Sequence, residues 1–190
     1  YNSMNSYLLS ALVKKTTGQG LTDFLTPRIF EPLGFGPVGG EKCPCGIEKG
    51  GWGMYLDPED MLKFGQLYLQ GGVWRGPQGE RRLIPEAWAR EAVRTQITGA
   101  DGEYGWQIWT REEDGSFLMN GMFGQYVAVF PQQDIVAVLT SGNGNLLTDS
   151  VAYTRLRAAL AQPHFSDGPL PADPAGEKEL ARVLAALEFD

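Results

Sequence analysis

Residues 125–140 read QYVAVFPQQDIVAVLT, two apolar runs on either side of a short polar turn. The runs Gln125–Phe130 and Asp134–Thr140 are rich in β-branched and aromatic residues, which are typical of strands. The residues between them, from Pro131 to Asp134, have the composition of a hairpin turn. The stretch therefore predicts two neighbouring antiparallel strands.

Two further strands are predicted on the N-terminal side of this hairpin. Tyr104–Trp109 alternates and is rich in aromatic residues, and Phe117–Asn120 follows it. Together with the hairpin they predict an antiparallel meander. The C-terminal side continues with a predicted helix over about 148–161, a Pro/Asp/Gly-rich linker over 163–174 and a terminal helix over 177–187.

The chain before residue 99 is predicted to be mainly helical. Apolar residues recur at helical spacing in the first segment, and Gly18 is a natural stop; they are Met4, Leu8, Leu9, Leu12 and Val13. Asp57-Pro58-Glu59-Asp60 combines a cap, a proline at the first position and acids in the first turn, which predicts a helix start. Shorter helices are predicted over 22–30 and from residue 84 to about residue 95.

These elements predict a single truncated α+β domain. Its parts are a mostly helical region with Gly/Pro-rich loops (1–98), antiparallel strands plus a helix (99–162), and a linker with a terminal helix (163–190). A fragment of this kind is expected to leave an apolar sheet edge exposed, through which chains could associate.

Composition narrows the classes of function. The formal net charge is −7 and the positive residues are scattered, so we expect no nucleic-acid partner. No apolar run approaches the roughly 18 residues of a membrane span. No signal peptide is recognised, although a chain missing its true start would not show one. We expect a soluble protein and favour the cytoplasm over export, with the compartment left open.

The two cysteines, Cys43 and Cys45, are separated by one residue, which is poor geometry for a local disulfide. A zinc site needs about four ligands, and the single histidine, His164, lies far away in the predicted linker. We interpret the cysteines as two small residues in a loop rather than as a metal or redox site. We expect no metal and no cofactor.

Several catalytic classes lack the residues that they need. A Ser-His-Asp triad requires a histidine base beside the nucleophile, and His164 is the only one. Neither a Gly-x-Ser-x-Gly elbow nor a phosphate-binding Gly-x-x-x-x-Gly-Lys loop occurs. Residues 34–39 match the dinucleotide fingerprint formally, but a helix precedes them and a proline lies inside, so we reject that interpretation.

Four segments, in order along residues 1 to about 160, carry a resemblance to a known family. They are YNSMNSYLLSALV (1–13), FEPLG (30–34), GGWGMYLDPEDM (50–61), and GMFGQY (121–126) followed by Val129-Phe130-Pro131 and a strand ending at Thr140-Ser141. They resemble the Tyr-x-Asn/Ser segment, the PLG segment, the glycine-rich stretch and the substrate-side hairpin of the serine β-lactamase-like hydrolases. That family includes class C β-lactamases, DD-peptidases and esterases. The resemblance implies part of a β-lactamase/transpeptidase-like fold.

The resemblance also implies roles for particular residues. The family's nucleophile is the serine of a Ser-x-x-Lys segment that lies N-terminal to the tyrosine. Tyr1 would be the family's proton relay, with the pKa of its phenol lowered when a lysine ammonium sits beside it. Ser3 would replace the asparagine that contacts the substrate amide. The N–H of Met122, just after Asn120 and Gly121, would be the second oxyanion donor on the edge strand.

The chain departs from the family pattern at two places. It contains no Ser-x-x-Lys, and the family's cationic Lys/His-Thr/x-Gly triplet aligns with Met119-Asn120-Gly121. Losing that cation disfavours substrates with a carboxylate, and so favours a small-molecule ester or amide over a β-lactam. We therefore expect part of an acyl-transferring serine hydrolase that lacks the nucleophile and is inactive alone. Two alternatives stay open: a non-catalytic relative that binds a ligand or peptide, and an autonomous α+β interaction domain.

Overall fold

The computed structural model describes residues 1–77, 79–142, 144, 151–160, 168 and 171–186. The chain forms two compact units, Tyr1–Arg157 and Ala158–Asp190. The first unit begins with helix α1, Ser3–Thr17. The Asn2 side chain accepts the Met4 N–H at 2.8 Å, and Gly18 ends the helix with a left-handed φ of 76°. The predicted first helix and its stop at Gly18 are confirmed.

The second predicted helix is interrupted. Helix α2 covers Leu21–Leu25, a π-helical turn covers Thr26–Phe30, and a short helix α3 covers Glu31–Leu33. Pro27 has no N–H to donate to the helical ladder, and the widened turn lies at this residue. A two-stranded sheet follows, β1 (Gly39–Gly40) with β2 (Met54–Tyr55).

Helix α4, Pro58–Leu69, begins where the sequence predicts it. A hairpin of β3 (Val73–Gly76) and β4 (Gly79–Arg82) comes next, and it was not predicted. Its second strand is fully exposed and largely charged, so it carries no alternating apolar pattern. Helix α5 covers Glu86–Ala92, which is shorter than the predicted segment.

The main sheet has six antiparallel strands in the order β10-β9-β8-β7-β6-β5. The strands are β5 Ile97–Gly99, β6 Gly102–Tyr104, β7 Trp109–Thr110, β8 Phe117–Gly121, β9 Gln125–Phe130 and β10 Ile135–Leu139. The predicted hairpin is confirmed, with register from Ile135 opposite Phe130 to Leu139 opposite Tyr126. The α+β fold class is as predicted and an antiparallel meander is found. The edge strand implied by the resemblance is wrong, because β8 is paired on both sides and ends at Gly121, before Met122.

One predicted strand is wrong. Tyr104–Trp109 forms the end of β6, a turn and the start of β7, with Tyr104 paired to Trp109. Within the turn, Gln107 has a positive φ of 62°. The Trp106 N–H donates to the carbonyl of Ala92 at 3.0 Å, which ties the turn to the end of α5.

The core lies between α4 and the sheet. Leu67 on α4 and Val129 on β9 are both fully buried at 0% exposure. A Cβ at Gly65 would lie 2.5 Å from Val136 Cγ1 and 2.8 Å from Val127 Cγ1, so the helix backbone rests directly on β9 and β10. Glycine is required here because no larger residue fits this contact.

Helix α1 presents the opposite face from the one its pattern predicts. Its apolar stripe is about half exposed, at 53% for Met4 and 57% for Leu8, whereas Ser6 and Ser10 are buried. A Cβ at Gly50 would lie 2.5 Å from the Ser6 carbonyl oxygen, and one at Gly51 would overlap the Ser3 carbonyl. The small residues on both sides allow this close approach of backbones.

Helix α6, Val151–Leu160, agrees with the predicted helix over 148–161, whose ends lie outside the described residues. Tyr153 stacks on Tyr126 at 5.2 Å between ring centroids, and Arg157 pairs with Asp114 at 3.0 Å. In the second unit, helix α7 covers Pro174–Ala185 and begins before the predicted residue 177, because Asp173 caps the Gly176 N–H. Most of the predicted linker, with His164, is outside the described residues.

No helix in the described ranges combines the length and apolar character needed to cross a bilayer.

Candidate active site

Tyr1 stands directly before α1, in contact with two aromatic rings of the main sheet. Its ring centroid lies 5.9 Å from that of Tyr104 and 6.0 Å from that of Trp109, and these two rings are 4.9 Å apart. The Ser3 hydroxyl donates to the Tyr1 phenol oxygen at 3.2 Å. Tyr1 is 61% exposed, so its phenol remains accessible to a further group.

A cavity of about 570 Å³ brings Tyr1 together with the end of β8. Asn120, Gly121 and Met122 all line it, so four of the five candidate site residues share one cavity. The fifth, Ser3, is joined to the cavity through its hydrogen bond to Tyr1. The fold therefore brings Tyr1 close to residues that lie about 120 positions later in the sequence.

The turn from β8 to β9 has a backbone that few residues adopt. Phe123 has a φ of 63° and Gly124 a φ of 89°. A non-glycine residue in this region costs roughly 1–2 kcal/mol. The Ser141 hydroxyl donates to the Phe123 carbonyl at 2.7 Å, and the Gln125 side chain donates to the Ser141 carbonyl. These bonds hold the turn that carries Met122.

The Met122 N–H is available for a ligand. Within the described part of the chain it donates to no acceptor, and Met122 itself is 52% exposed. An exposed, unpaired N–H beside a cavity is the kind of donor that stabilises a developing oxyanion.

Met119 packs into the core instead of facing a ligand. It lies against the buried cluster that contains Phe117 and Val129, on the same strand as the cavity-lining Asn120. The residue that aligns with the family's cation is therefore an uncharged packing residue here.

Tyr104 lies against the Tyr1 ring behind the candidate site, and the sequence did not single it out. Its hydroxyl is buried and has no hydrogen-bond partner among the described residues. Burial and the neighbouring Tyr1 raise the pKa of Tyr104 to about 12, so this phenol stays protonated at neutral pH. The sequence did contain a signal for this placement of Tyr104. Aromatic residues on both sides of Gly105 are as typical of a tight hairpin as of a single strand.

The charged lining of the cavity is mixed. Asp101, Glu103 and Arg111 all line it. The Glu103 carboxylate accepts the Glu112 N–H at 2.5 Å. Arg111 is the cationic residue among those that line the cavity. Across the described residues, no group of three or more His, Cys, Asp or Glu side chains is arranged to hold a metal ion.

A helical layer packed on an antiparallel sheet, with a helix on the later strands and a tyrosine facing the β8 turn, defines a β-lactamase/transpeptidase-like fold. The beta-lactamase family model matches residues 1–162, and the chain belongs to that family.

Solved structures agree on the fold. A candidate 6-aminohexanoate-dimer hydrolase from Bacillus anthracis is similar with a TM-score of 0.72 and 23% identity, over 85% of this chain and 43% of that one. A beta-lactamase from Mycobacterium bovis has a TM-score of 0.59 and 18% identity, over 75% and 56%. A penicillin-binding protein homologue from Caulobacter crescentus has a TM-score of 0.57 and 15% identity, over 73% and 51%. The chain thus spans about half the length of these proteins. No curated protein sequence matches it.

Proposed function

We propose that this chain is the tyrosine- and sheet-bearing part of a serine hydrolase that cleaves a small ester or amide through a seryl ester. The observation that carries the proposal is the shared cavity: Tyr1 and Met122 line the same space of about 570 Å³. Acyl transfer needs a proton relay and an oxyanion donor on the same reacting centre. Family membership supports hydrolase chemistry.

Tyr1 is proposed as the proton relay. Because Ser3 donates to the phenol oxygen at 3.2 Å, the phenol's own O–H can point to another acceptor. That acceptor would be the nucleophile's oxygen or the leaving group. Ser3 holds the phenol in place, and its oxygen can accept a hydrogen bond from the substrate.

Met122 is proposed to supply an oxyanion donor through its main chain. A preorganised N–H of this kind contributes about 10²–10³-fold in rate in known hydrolases. Asn120 and Gly121 form the adjoining wall of the cavity, where they would contact the acyl part of the substrate.

The nucleophile is proposed to come from residues outside this chain. The sequence holds no Ser-x-x-Lys, and similar structures extend to about twice the length matched here. The exposed stripe of α1, with Leu8, Leu9 and Leu12 about half accessible, is a surface that further residues of the same protein would cover. We therefore expect the chain on its own not to turn over substrate.

The test compares this chain with a version extended by the proposed upstream Ser-x-x-Lys segment, using p-nitrophenyl esters and nitrocefin. The extended protein should hydrolyse the esters, and Tyr1→Phe should reduce kcat by about 10²–10⁴-fold. Tyr55→Phe, which removes a phenol bonded to Glu41 instead, is the matched control and should leave kcat unchanged. Turnover by the chain alone that is abolished by Tyr1→Phe would overturn the missing-nucleophile proposal.

A non-catalytic ligand- or peptide-binding function is the alternative, favoured by Met119 in the place of the family's cation. It predicts saturable binding of an ester or amide in the cavity, measurable by calorimetry, with no hydrolysis by the extended protein. Absence of a Ser-x-x-Lys upstream of Tyr1 would decide for this function.

Association through the sheet edge is also proposed for the isolated chain. Strand β10 is the outer strand of the main sheet and reads IVAVL. An apolar outer strand of this length is a template for pairing with a second copy. Ala137→Lys should lower the apparent mass in concentration-dependent gel filtration, and an unchanged elution volume would argue against the edge.

A further inference from the structure

A tight hairpin over residues 42–48 carries both cysteines of the chain. Lys42 and Glu48 form an antiparallel bridge at its base. At its tip the Gly46 N–H donates to the Cys43 carbonyl at 2.8 Å, and the Cys43 N–H donates to the Ile47 carbonyl at 2.8 Å. Cys43 is therefore the first residue of a four-residue turn and Cys45 the third.

The Cys43 sulfur accepts a hydrogen bond from a side chain of helix α1. The Tyr7 hydroxyl, from α1, donates to Sγ at 3.3 Å. This bond, followed by the backbone of Ile47 and by the Cys45 backbone and thiol, lowers the pKa of Cys43 against the opposing effect of burial. The same bond raises the pKa of Tyr7, so the phenol keeps its proton and remains the donor.

Turn chemistry explains why a sulfur is stabilised here. At the first position of such turns, Asp, Asn and Ser commonly accept the N–H of the third residue. In this hairpin Cys43 takes that place, and the Cys45 backbone contributes to the lowered pKa of Cys43. Helix α1 adds Lys14, whose ammonium donates to the Gly46 carbonyl at 2.7 Å and places a positive charge at the tip.

The two thiols differ in accessibility. Cys43 is half-buried beside its donors, whereas Cys45 is exposed. A stabilised thiolate next to an accessible second thiol is the arrangement in which one sulfur attacks a disulfide and the other resolves the product.

The spacing alone led us to interpret these cysteines as plain loop residues, but the Tyr7 contact changes that interpretation. We propose that Cys43-Pro44-Cys45 is a thiol–disulfide exchange site for low-molecular-weight disulfides such as oxidised glutathione. The Cys43 thiolate attacks one sulfur of the small disulfide, forming a mixed disulfide and releasing one small thiolate. The Cys45 thiolate, after losing its proton to solvent, then attacks Cys43 Sγ and releases the second small thiol. The balance is one small disulfide reduced to two thiols and one protein dithiol oxidised to a Cys43–Cys45 disulfide.

A ring closed over a single intervening residue is strained, and strained disulfides are readily reduced. The oxidised form is therefore expected to return to the dithiol when the small thiol is in excess. Oxidation also removes the acceptor of the Tyr7 hydrogen bond, so it would loosen the hairpin from α1.

The first experiment incubates the chain with oxidised glutathione and follows intact mass. The wild-type chain should lose the mass of two hydrogen atoms without dimerising, and Cys45→Ser should accumulate one glutathione adduct on Cys43. Cys43→Ser should react more slowly, through Cys45 alone. The proposal is overturned if Cys45→Ser gathers no adduct, or if Cys43→Ser reacts as fast as the wild type.

The second experiment tests the Tyr7 contact by alkylation of Cys43 with iodoacetamide in the Cys45→Ser background. The midpoint of the pH–rate profile should lie below that of an ordinary thiol, about 8.5. Tyr7→Phe should move it upward, and each unit of that shift should slow the reaction at neutral pH by about threefold, because lower thiolate content is partly offset by higher nucleophilicity. Tyr55→Phe is the matched control. If Tyr7→Phe leaves the midpoint of the pH–rate profile unchanged, the Tyr7 phenol does not stabilise the Cys43 thiolate.

Discussion

Asp60 connects α4 to the loop that follows α3, and its removal should destabilise the helical region. Its carboxylate is 3% exposed. One oxygen accepts the Gly36 N–H at 2.9 Å and the other accepts the Lys63 ammonium at 2.7 Å. Lys63 also donates to the Gly34 carbonyl at 2.7 Å, so the ion pair joins α4 to the loop after α3 by two hydrogen bonds.

The magnitude follows from what Asp60→Ala would leave behind. Breaking a fully buried ion pair costs about 3–5 kcal/mol. The Lys63 side chain is 27% exposed, so water can solvate part of its charge and the cost is lower. The Gly36 N–H, left without its partner, adds about 1–3 kcal/mol. We expect a loss of about 2–4 kcal/mol in the free energy of unfolding.

Urea denaturation followed by circular dichroism measures this loss. Glu59→Ala is the matched control, because Glu59 is an exposed acid in the same helical turn and should cost about 0.3–1 kcal/mol through the helix dipole. Lys63→Met completes a double-mutant cycle, in which the coupling to Asp60 should exceed 1 kcal/mol. The reasoning is refuted if Asp60→Ala costs no more than Glu59→Ala.

Three other substitutions test the packing of α4 on the sheet, the β8–β9 turn and the ion pair between Asp114 and Arg157. Gly65→Ala should lower the free energy of unfolding by about 1–2 kcal/mol in urea, because the overlap with stiff valine side chains outweighs the gain in helix propensity; unchanged stability would contradict the close contact. The free energy of unfolding should be about 1 kcal/mol higher for Phe123→Asn than for Phe123→Val, because Asn tolerates positive φ and a β-branched residue does not. Equal urea midpoints for the two variants would contradict the strain at this turn. Although burial opposes it, hydrogen bonds from Ser116 and Arg157 lower the pKa of Asp114, so its contribution is present above the unfolded pKa of about 3.9 and is lost as pH falls through the folded value. The stability difference between wild type and Arg157→Met should therefore be larger at pH 6 than at pH 3, and a difference independent of pH would exclude the pair.

The parts of the fold that the sequence predicts are those with a local signal. The 125–140 hairpin combines two apolar runs with a turn composition, and its two antiparallel strands are found as expected. The β3–β4 hairpin has no such signal, because its second strand reads GERR and is exposed. Tyr104 and Trp109 satisfy the pattern of one strand, yet Gly105 and the positive φ of Gln107 turn the chain between them.

The orientation of α1 could not be predicted from hydrophobicity alone. The apolar stripe that contains Leu8 and Leu12 predicts a buried face, but Ser6 and Ser10 occupy the interface instead. The partner surface is the glycine pair Gly50-Gly51, where backbones meet at a distance that excludes larger side chains. Such a contact depends on two segments 40 residues apart, and a pattern within one helix does not contain it.

This contact also determines where the candidate site lies. Tyr1 is outside the helix, so its position depends on how α1 is fixed. The Asn2 cap is a contact within the helix. Two contacts fix the helix on the rest of the fold: the close approach of Ser6 to Gly50, and the hydrogen bond from the Ser6 hydroxyl to the Gln107 side chain at 2.5 Å. The last of these joins α1 to the turn between β6 and β7. Because that same turn pairs Tyr104 with Trp109, the two rings that flank Tyr1 and the helix that presents it are positioned by one junction. The resemblance predicts Tyr1 and its role. The two aromatic rings around Tyr1 belong to the β6–β7 hairpin, which the alternating pattern predicted to be a single strand.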